Sequence, residues 1–128
     1  MLTHIHHINF VVADLEHSIA YFKNLFQQSA IEESLPKRMV KTARFSIGET
    51  QLVLVQPTSK EGVVAEILAT KGEGIFLLSF ATQSIEQTLD QLALKHVEKR
   101  QGLDGWEICD IAQIEQFGAI LQLTQTKT

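Results

Sequence analysis

The chain is written twice. Set 70 positions apart and without gaps, Ile8/Leu78, Phe10/Phe80, Leu15/Ile85, Glu16/Glu86, Ser18/Thr88, Ile19/Leu89 and Phe22/Leu92 pair like with like. At an offset of 69 the ends of the two copies match as well, through Leu52/Leu121, Leu54/Leu123 and Gln56/Gln125. A repeat of this length makes each copy one supersecondary unit, so the architecture is fixed before any single motif is weighed.

In each copy an apolar stretch, residues 8–12 and 75–81, runs into a residue suited to cap a helix, Asp14 or Ser84, whose side-chain oxygen can accept from an unpaired backbone N–H. Ser84 with Gln87 also has capping-box spacing. Apolar residues then recur at helical spacing, Leu15, Ile19, Phe22 and Phe26 in the first copy and Ile85, Leu89 and Leu92 in the second, which predicts helices with one buried stripe. The closing segments alternate as strands do. Residues 40–47 and 106–111 predict further strands upstream of them, with Gly48-Glu49-Thr50 turning the first hairpin. Each half is then βαβββ, and the fold class is α+β, two tandem modules forming a curved mixed sheet around a cavity. Residues 59–70 predict a linking helix capped by Ser59, with Val63, Val64, Ile67 and Leu68 as its apolar face and Gly72 and Gly74 as its stop. The expected organisation is a single domain over 1–128, with module 1 at 1–57, the linking helix at 58–72 and module 2 at 73–128.

A chain of 128 residues that is 45% hydrophobic can build one proper core. Its formal charge of −4 is spread along the sequence, and no run of Lys or Arg interleaves with aromatics, which argues against a nucleic-acid partner. The most apolar run, residues 74–81, is too short to span a bilayer, and the first residues lack the basic start and apolar stretch of a signal peptide. The expectation is a cytoplasmic protein with no membrane partner. The one cysteine, Cys109, has no neighbouring Cys for a zinc clasp or redox pair and is expected to be a small buried or half-buried apolar side chain.

Side chains alternate along a strand, so the helix-packing face defines the opposite one. Ile8, Phe10 and Val12 are expected under the helix, leaving His7, Asn9 and Val11 toward the cavity. The repeat transfers this to Leu77, Ser79 and Ala81. The closing strands add Gln51, Val53 and Val55 in one copy and Ile120, Gln122 and Thr124 in the other, and the hairpin strand adds Thr42, Arg44 and Ser46, with Trp106, Ile108 and Asp110 as counterparts. The surface is mostly apolar with a few convergent polar groups.

The segments His7-Ile8 through Asp14-Leu15-Glu16, Gly48-Glu49-Thr50-Gln51-Leu52-Val53-Leu54-Val55-Gln56-Pro57, Gly72-Glu73-Gly74-Ile75 and Gly118 through Gln125 resemble the vicinal oxygen chelate superfamily. That superfamily takes in glyoxalase I, methylmalonyl-CoA epimerase, extradiol dioxygenases and bleomycin- or fosfomycin-resistance proteins. The likeness covers nearly the whole chain and is greatest to the epimerase branch. By this resemblance the four metal-ligand positions carry His7, Val53, Leu77 and Gln122, and valine and leucine offer a divalent ion no lone pair. The positions of the epimerase's two proton-moving carboxylates carry Thr42 and Gln122, neither of which takes up a proton near neutral pH. The resemblance thus implies the scaffold and cavity with a degenerate metal site. Homodimers are common in the family, and no residue pattern here demands one.

His7 is the candidate catalytic residue, as a general base, as a hydrogen-bond donor to a ligand, or as a relic of a lost metal site. Asn9 and Gln122 could orient a carbonyl or carboxylate, and Arg44 suits a ligand anion, or pairs with Asp110, or reaches solvent. Candidate ligand contacts are Asn9, Thr42, Arg44, Gln51, Val53, Leu77, Ser79, Trp106, Asp110 and Gln122. Of the other histidines, His6 is expected to point away from His7 and His4 lies near the terminus, so only adventitious nickel or zinc is expected there. The reading of these residues is a protein that binds a small organic ligand, anionic or thioester, with no metal and no cofactor. One alternative is a metal-dependent lyase or isomerase resembling glyoxalase I or methylmalonyl-CoA epimerase, with ligands recruited from His7, Gln51 and Gln122. Another is a structural or interaction module whose cavity is filled by Leu77, Val53 and their neighbours. Neither turnover nor a substrate follows from the residues.

Overall fold

Asp14 and Ser84 do start the two main helices. In a computed structural model, which describes residues 1–94 and 98–126, the Asp14 carboxylate accepts from the His17 N–H at 3.1 Å and the Ser84 hydroxyl from the Gln87 N–H at 3.2 Å. Each bond satisfies a donor that the first helical turn leaves unpaired.

The elements in chain order are β1 (Leu2–Val11), α1 (Leu15–Phe26), β2 (Ile31–Leu35), β3 (Val40–Ile47), β4 (Thr50–Pro57), α2 (Val63–Lys71), β5 (Gly74–Thr82), α3 (Ile85–Gln91), β6 (Arg100–Gln101), β7 (Glu107–Ala112), α4 (Ile114–Phe117) and β8 (Ile120–Gln125). This is βαβββ twice over, with α2 as the link and the one-turn α4 added between the last two strands. Two compact units result, Ile8–Phe76, and Met1–His7 together with the chain from Leu77 onward. The break falls within β1, whose start belongs to the second unit and whose end belongs to the first.

In the first unit the strand order is β2-β3-β4-β1. The β3–β4 hairpin closes through Gly48 and Glu49, with Ile47 opposite Thr50 and Gly48 at φ +60°, a turn conformation that costs glycine little. Leu52, Leu54, Ala43 and Phe45 form the floor on which Leu15 and Val12 are buried, joined by Ile8, Phe10, Ile19, Phe22 and Phe26. The predicted stripe of α1 and the predicted inward face of β1 are therefore the two sides of one core. Burying a side chain such as Phe45 stabilises the unit by about 1.5–3 kcal/mol.

In the second unit the order is β1-β5-β8-β7-β6. β5 and β8 run parallel with Leu78 opposite Leu121 and Phe80 opposite Leu123, and β7 returns antiparallel to β8. Ile85, Cys109 and Leu123 are the buried centre, with Phe80, Leu89 and Ile111 around them. A bulge interrupts the β7–β8 ladder directly after Asp110: Asp110 faces Gln122, yet Ala112 faces Leu121, so Ile111 is the extra residue.

Four expectations need correction. The linking helix starts at Val63 behind Gly62 and has no side-chain cap, because Gly62 sits at φ +102°, outside any helical conformation. Ser59 instead accepts from the Glu61 N–H in the turn before it, and Val63 is exposed while Ile67 is buried. Leu92 falls one residue past the end of α3 and is also exposed. The strand expected over residues 106–111 is displaced by one, since Trp106 still belongs to the preceding turn, where its N–H donates to Leu103 O at 2.9 Å. Arg44 pairs with Glu33 rather than Asp110. Among the described residues no helix is long and apolar enough to cross a membrane.

Candidate functional site

The second unit gathers a layer of polar and aromatic groups from three strands and one turn. β1 supplies His6 and His7, β7 supplies Asp110, β8 supplies Gln122, and the turn before β7 supplies Trp106. Trp106 stacks on His7, with ring centroids 4.8 Å apart and planes 27° from parallel, and meets the edge of His6 at 4.6 Å. His6 does not point away from His7, as strand alternation alone would have it: their Nδ1 atoms lie 2.9 Å apart. Alternation fixes the Cα–Cβ directions, and an imidazole can still swing about that bond to meet its neighbour. Two nitrogens at this distance share one proton, so one ring donates and the other accepts.

His7 is buried, and loss of solvent together with the adjoining His6 ring holds its pKa down at about 3, against an upward pull from the Gln122 amide. It is neutral at neutral pH. Burial, and then the His4 ring, also lower His6. Gln122 is only 1% exposed. Its Nε2 donates to Asp110 Oδ1 at 2.9 Å, and Arg100 Nη1 donates to the other carboxylate oxygen, Oδ2, at 3.1 Å. The Gln122 Oε1 atom is buried with no hydrogen-bond partner among the described residues. Ser79, opposite Gln122 on β5, is fully buried and spends its hydroxyl on that of Thr124; Leu77 is buried beside it in sequence. Trp106 and His6 also line an open groove of about 990 Å³, bordered by Gln83, Lys99, Arg100 and Glu107.

In the first unit the candidates are arranged differently. Arg44, 8% exposed, is held by the Glu33 carboxylate, and Thr42 Oγ1 donates to Glu33 O at 3.4 Å. Gln51 Nε2 donates to Ser46 Oγ at 2.8 Å. Val53 is fully buried and faces Arg44 across the ladder. Asn9 keeps a buried Oδ1 with no partner among the described residues. The residues that the sequence does not announce are Glu33 and Arg100. Glu33 lies on the five-residue polar strand β2 and Arg100 on the two-residue strand β6, both too short or too polar for alternation to mark them. Among the described residues no three His, Cys, Asp or Glu side chains come together as a metal-holding group. Cys109 is buried in the core with Ile85 and Leu123.

Sequence comparison gives the family: residues 4–106 match the Glyoxalase/Bleomycin resistance protein/Dioxygenase superfamily, so the chain belongs to it. A Bacillus subtilis (strain 168) protein, YqjC, itself uncharacterized, is 25% identical over 127 residues, covering 94% of this chain and 91% of that one. Among solved structures, a methylmalonyl-CoA epimerase from Streptomyces coelicolor in complex with 2-nitronate-propionyl-CoA superposes with a TM-score of 0.86 at 23% identity, covering 100% of both chains. The methylmalonyl-CoA epimerase from Mycobacterium tuberculosis gives 0.84 at 21% identity over 99% of this chain and 90% of that one. A hypothetical protein from Bacillus halodurans C-125 gives 0.85 at 23% identity over 97% and 94%. The fold is the glyoxalase/bleomycin resistance fold.

Proposed function

We propose that this protein binds a small organic ligand of the carboxylate or thioester class beside His7, Trp106 and Gln122, and that it does so without a divalent metal. The observation that carries the reading is the Gln122 carbonyl oxygen, buried with no partner among the described residues. An unmet buried acceptor costs about 1–3 kcal/mol, and a donor group carried on such a ligand beside its carboxylate or thioester recovers that cost. The epimerase structures that share the fold bind acyl-CoA analogues, which supports the thioester class.

The donor set speaks against a metal. Of the positions that the resemblance assigns to metal ligands, Leu77 and Val53 have no lone pair, which leaves His7 and Gln122 as the two side chains of that set able to donate to an ion. His7, with a pKa of about 3, acts as a neutral hydrogen-bonding group and not as a general base, since it holds no proton affinity useful near neutral pH. Leu77, Ser79 and Trp106 shape the pocket wall, and Asp110 sets the Gln122 orientation. A cytoplasmic location and a homodimer belong to the same reading; light scattering on the purified protein tests the dimer.

Trp106 is the one tryptophan of the chain, so its emission reports directly on the site. Protein stripped with EDTA and titrated with propionyl-CoA and methylmalonyl-CoA should show a saturable change in that emission. A flat response to both, and to simple carboxylates, defeats the ligand reading; a response that requires one equivalent of a divalent ion defeats the metal-free part alone. One observation favours a second reading, a filled interior: the Trp106 ring already covers His7. It predicts the flat response and no co-purifying small molecule in a native mass spectrum.

A further inference from the structure

Asp110 and Gln122 face one another across the β7–β8 ladder, and their contact has a chemical polarity. An ionised carboxylate can only accept, so the end of the Gln122 amide that meets Asp110 at 2.9 Å is the NH2 group. Asp110 cannot turn away, because Arg100, diagonally placed on β6, holds its second oxygen at 3.1 Å. The bulge that follows Asp110 ends the regular ladder at this pair. The amide is therefore fixed with its carbonyl oxygen toward the interior, where that atom is buried with no partner among the described residues.

We propose that Asp110 is a positioning residue that locks Gln122 as a hydrogen-bond acceptor, and that the site selects a ligand whose acyl portion carries a hydroxyl group. The inference rests on the ligand-binding reading and names the group that reading leaves open. A carboxylate or a thioester carbonyl brought to Gln122 Oε1 would set lone pair against lone pair. An ammonium would donate, but the Asp110 carboxylate is already shared between Arg100 and Gln122, so the cation would be buried without a counter-charge of its own. A hydroxyl donates to Oε1 at no charge cost.

The test compares matched thioesters on the intact, EDTA-treated protein by Trp106 emission: propionyl-CoA, 2-hydroxypropionyl-CoA, 3-hydroxypropionyl-CoA and malonyl-CoA. One hydroxyacyl thioester should bind roughly tenfold or more tighter than propionyl-CoA, the ratio expected for satisfying one buried acceptor, and malonyl-CoA should bind no better than propionyl-CoA. Gln122→Leu should bring the hydroxyl-to-propionyl ratio close to one. Asp110→Leu, which frees the amide to turn, should lower the same ratio whatever it does to propionyl-CoA affinity, and Asp110→Asn, which can still accept from the amide, should restore part of it, a selectivity effect that a purely structural role does not produce. Because the wild-type ratio alone decides, poor folding of any variant leaves the test intact. Equal binding of all four, or a preference for malonyl-CoA, overturns the inference and spares ligand binding; no binding of any thioester overturns both.

Discussion

Gln56 and Gln125 do the same job in the two units: Gln56 Oε1 accepts from the Leu15 N–H at 2.7 Å, and Gln125 Oε1 accepts from the Ile85 N–H at 2.9 Å. Gln56 stands next to last in β4 and Gln125 last in β8, and each satisfies the first N–H of its module's main helix. With Asp14 and Ser84 accepting from the N–H two residues further on, at His17 and Gln87, two of the donors at each helix start are met. Replacing either glutamine by Ala should cost about 0.5–2 kcal/mol, the range for losing a helix cap. Urea denaturation of Gln56→Ala and Gln125→Ala measures it; a loss in one variant and none in the other would show that the repeated contact is not energetically repeated.

Stability should fall as the solution is acidified below about pH 6.5, and His7 supplies the sign. Its pKa in the folded chain, about 3, lies below the ordinary 6.5, so between those values the unfolded chain binds a proton that the folded chain refuses. Stability from this residue is complete above pH 6.5 and declines as pH drops toward 3, by up to about 1.4 kcal/mol per pH unit. His6, also lowered, acts in the same direction. Denaturation midpoints at pH 7 and pH 5 check the slope, and His7→Gln should flatten it.

Removing the Trp106 ring should let water reach His7. In Trp106→Ala the His7 pKa is expected to rise by roughly one unit or more as desolvation is relieved, read from the imidazole carbon resonances across a pH series. An unchanged titration would mean that the strands around His7 bury it without help from the indole.

Breaking the Arg44–Glu33 pair should cost more from the glutamate side than from the arginine side. Arg44 is nearly buried, whereas the Glu33 side chain is 29% exposed, so Glu33→Gln takes its carboxylate from the less hydrated of the two charges. A loss of about 2–4 kcal/mol is expected for Glu33→Gln and less for Arg44→Met, since the surviving carboxylate can turn to solvent. The double variant in a thermodynamic cycle isolates the coupling.

Much of the scaffold is legible in the residues because the repeat and the helix caps are local signals. Asp14, Ser84, the stripe Leu15-Ile19-Phe22-Phe26 and the Gly48 turn each declare their structure within a few positions. The same holds for Cys109, expected to be buried or half-buried and found buried. The candidate layer is harder to see, for physical reasons that differ from residue to residue. Strand alternation places the Cβ of His6 correctly but says nothing of its χ1 rotation, which brings it to His7. The partner of Arg44 lies on β2, where Ile31, Glu32, Glu33, Ser34 and Leu35 carry too little apolar weight to declare a strand. Ser59 looks like a cap, and only the positive φ of Gly62 delays the helix to Val63. The Asp110–Gln122 bond depends on a cross-strand register shifted by one bulged residue, which no pattern in the sequence marks.

Cys109 gives the molecule a built-in clock. The thiol is fully enclosed by Ile85 and Leu123, and burial, then the Asp110 charge, push its pKa up, so a thiol-directed reagent meets it only when β7 parts from its neighbours. The rate at which such a reagent modifies the native protein therefore counts the openings of this region alone, with no engineered label.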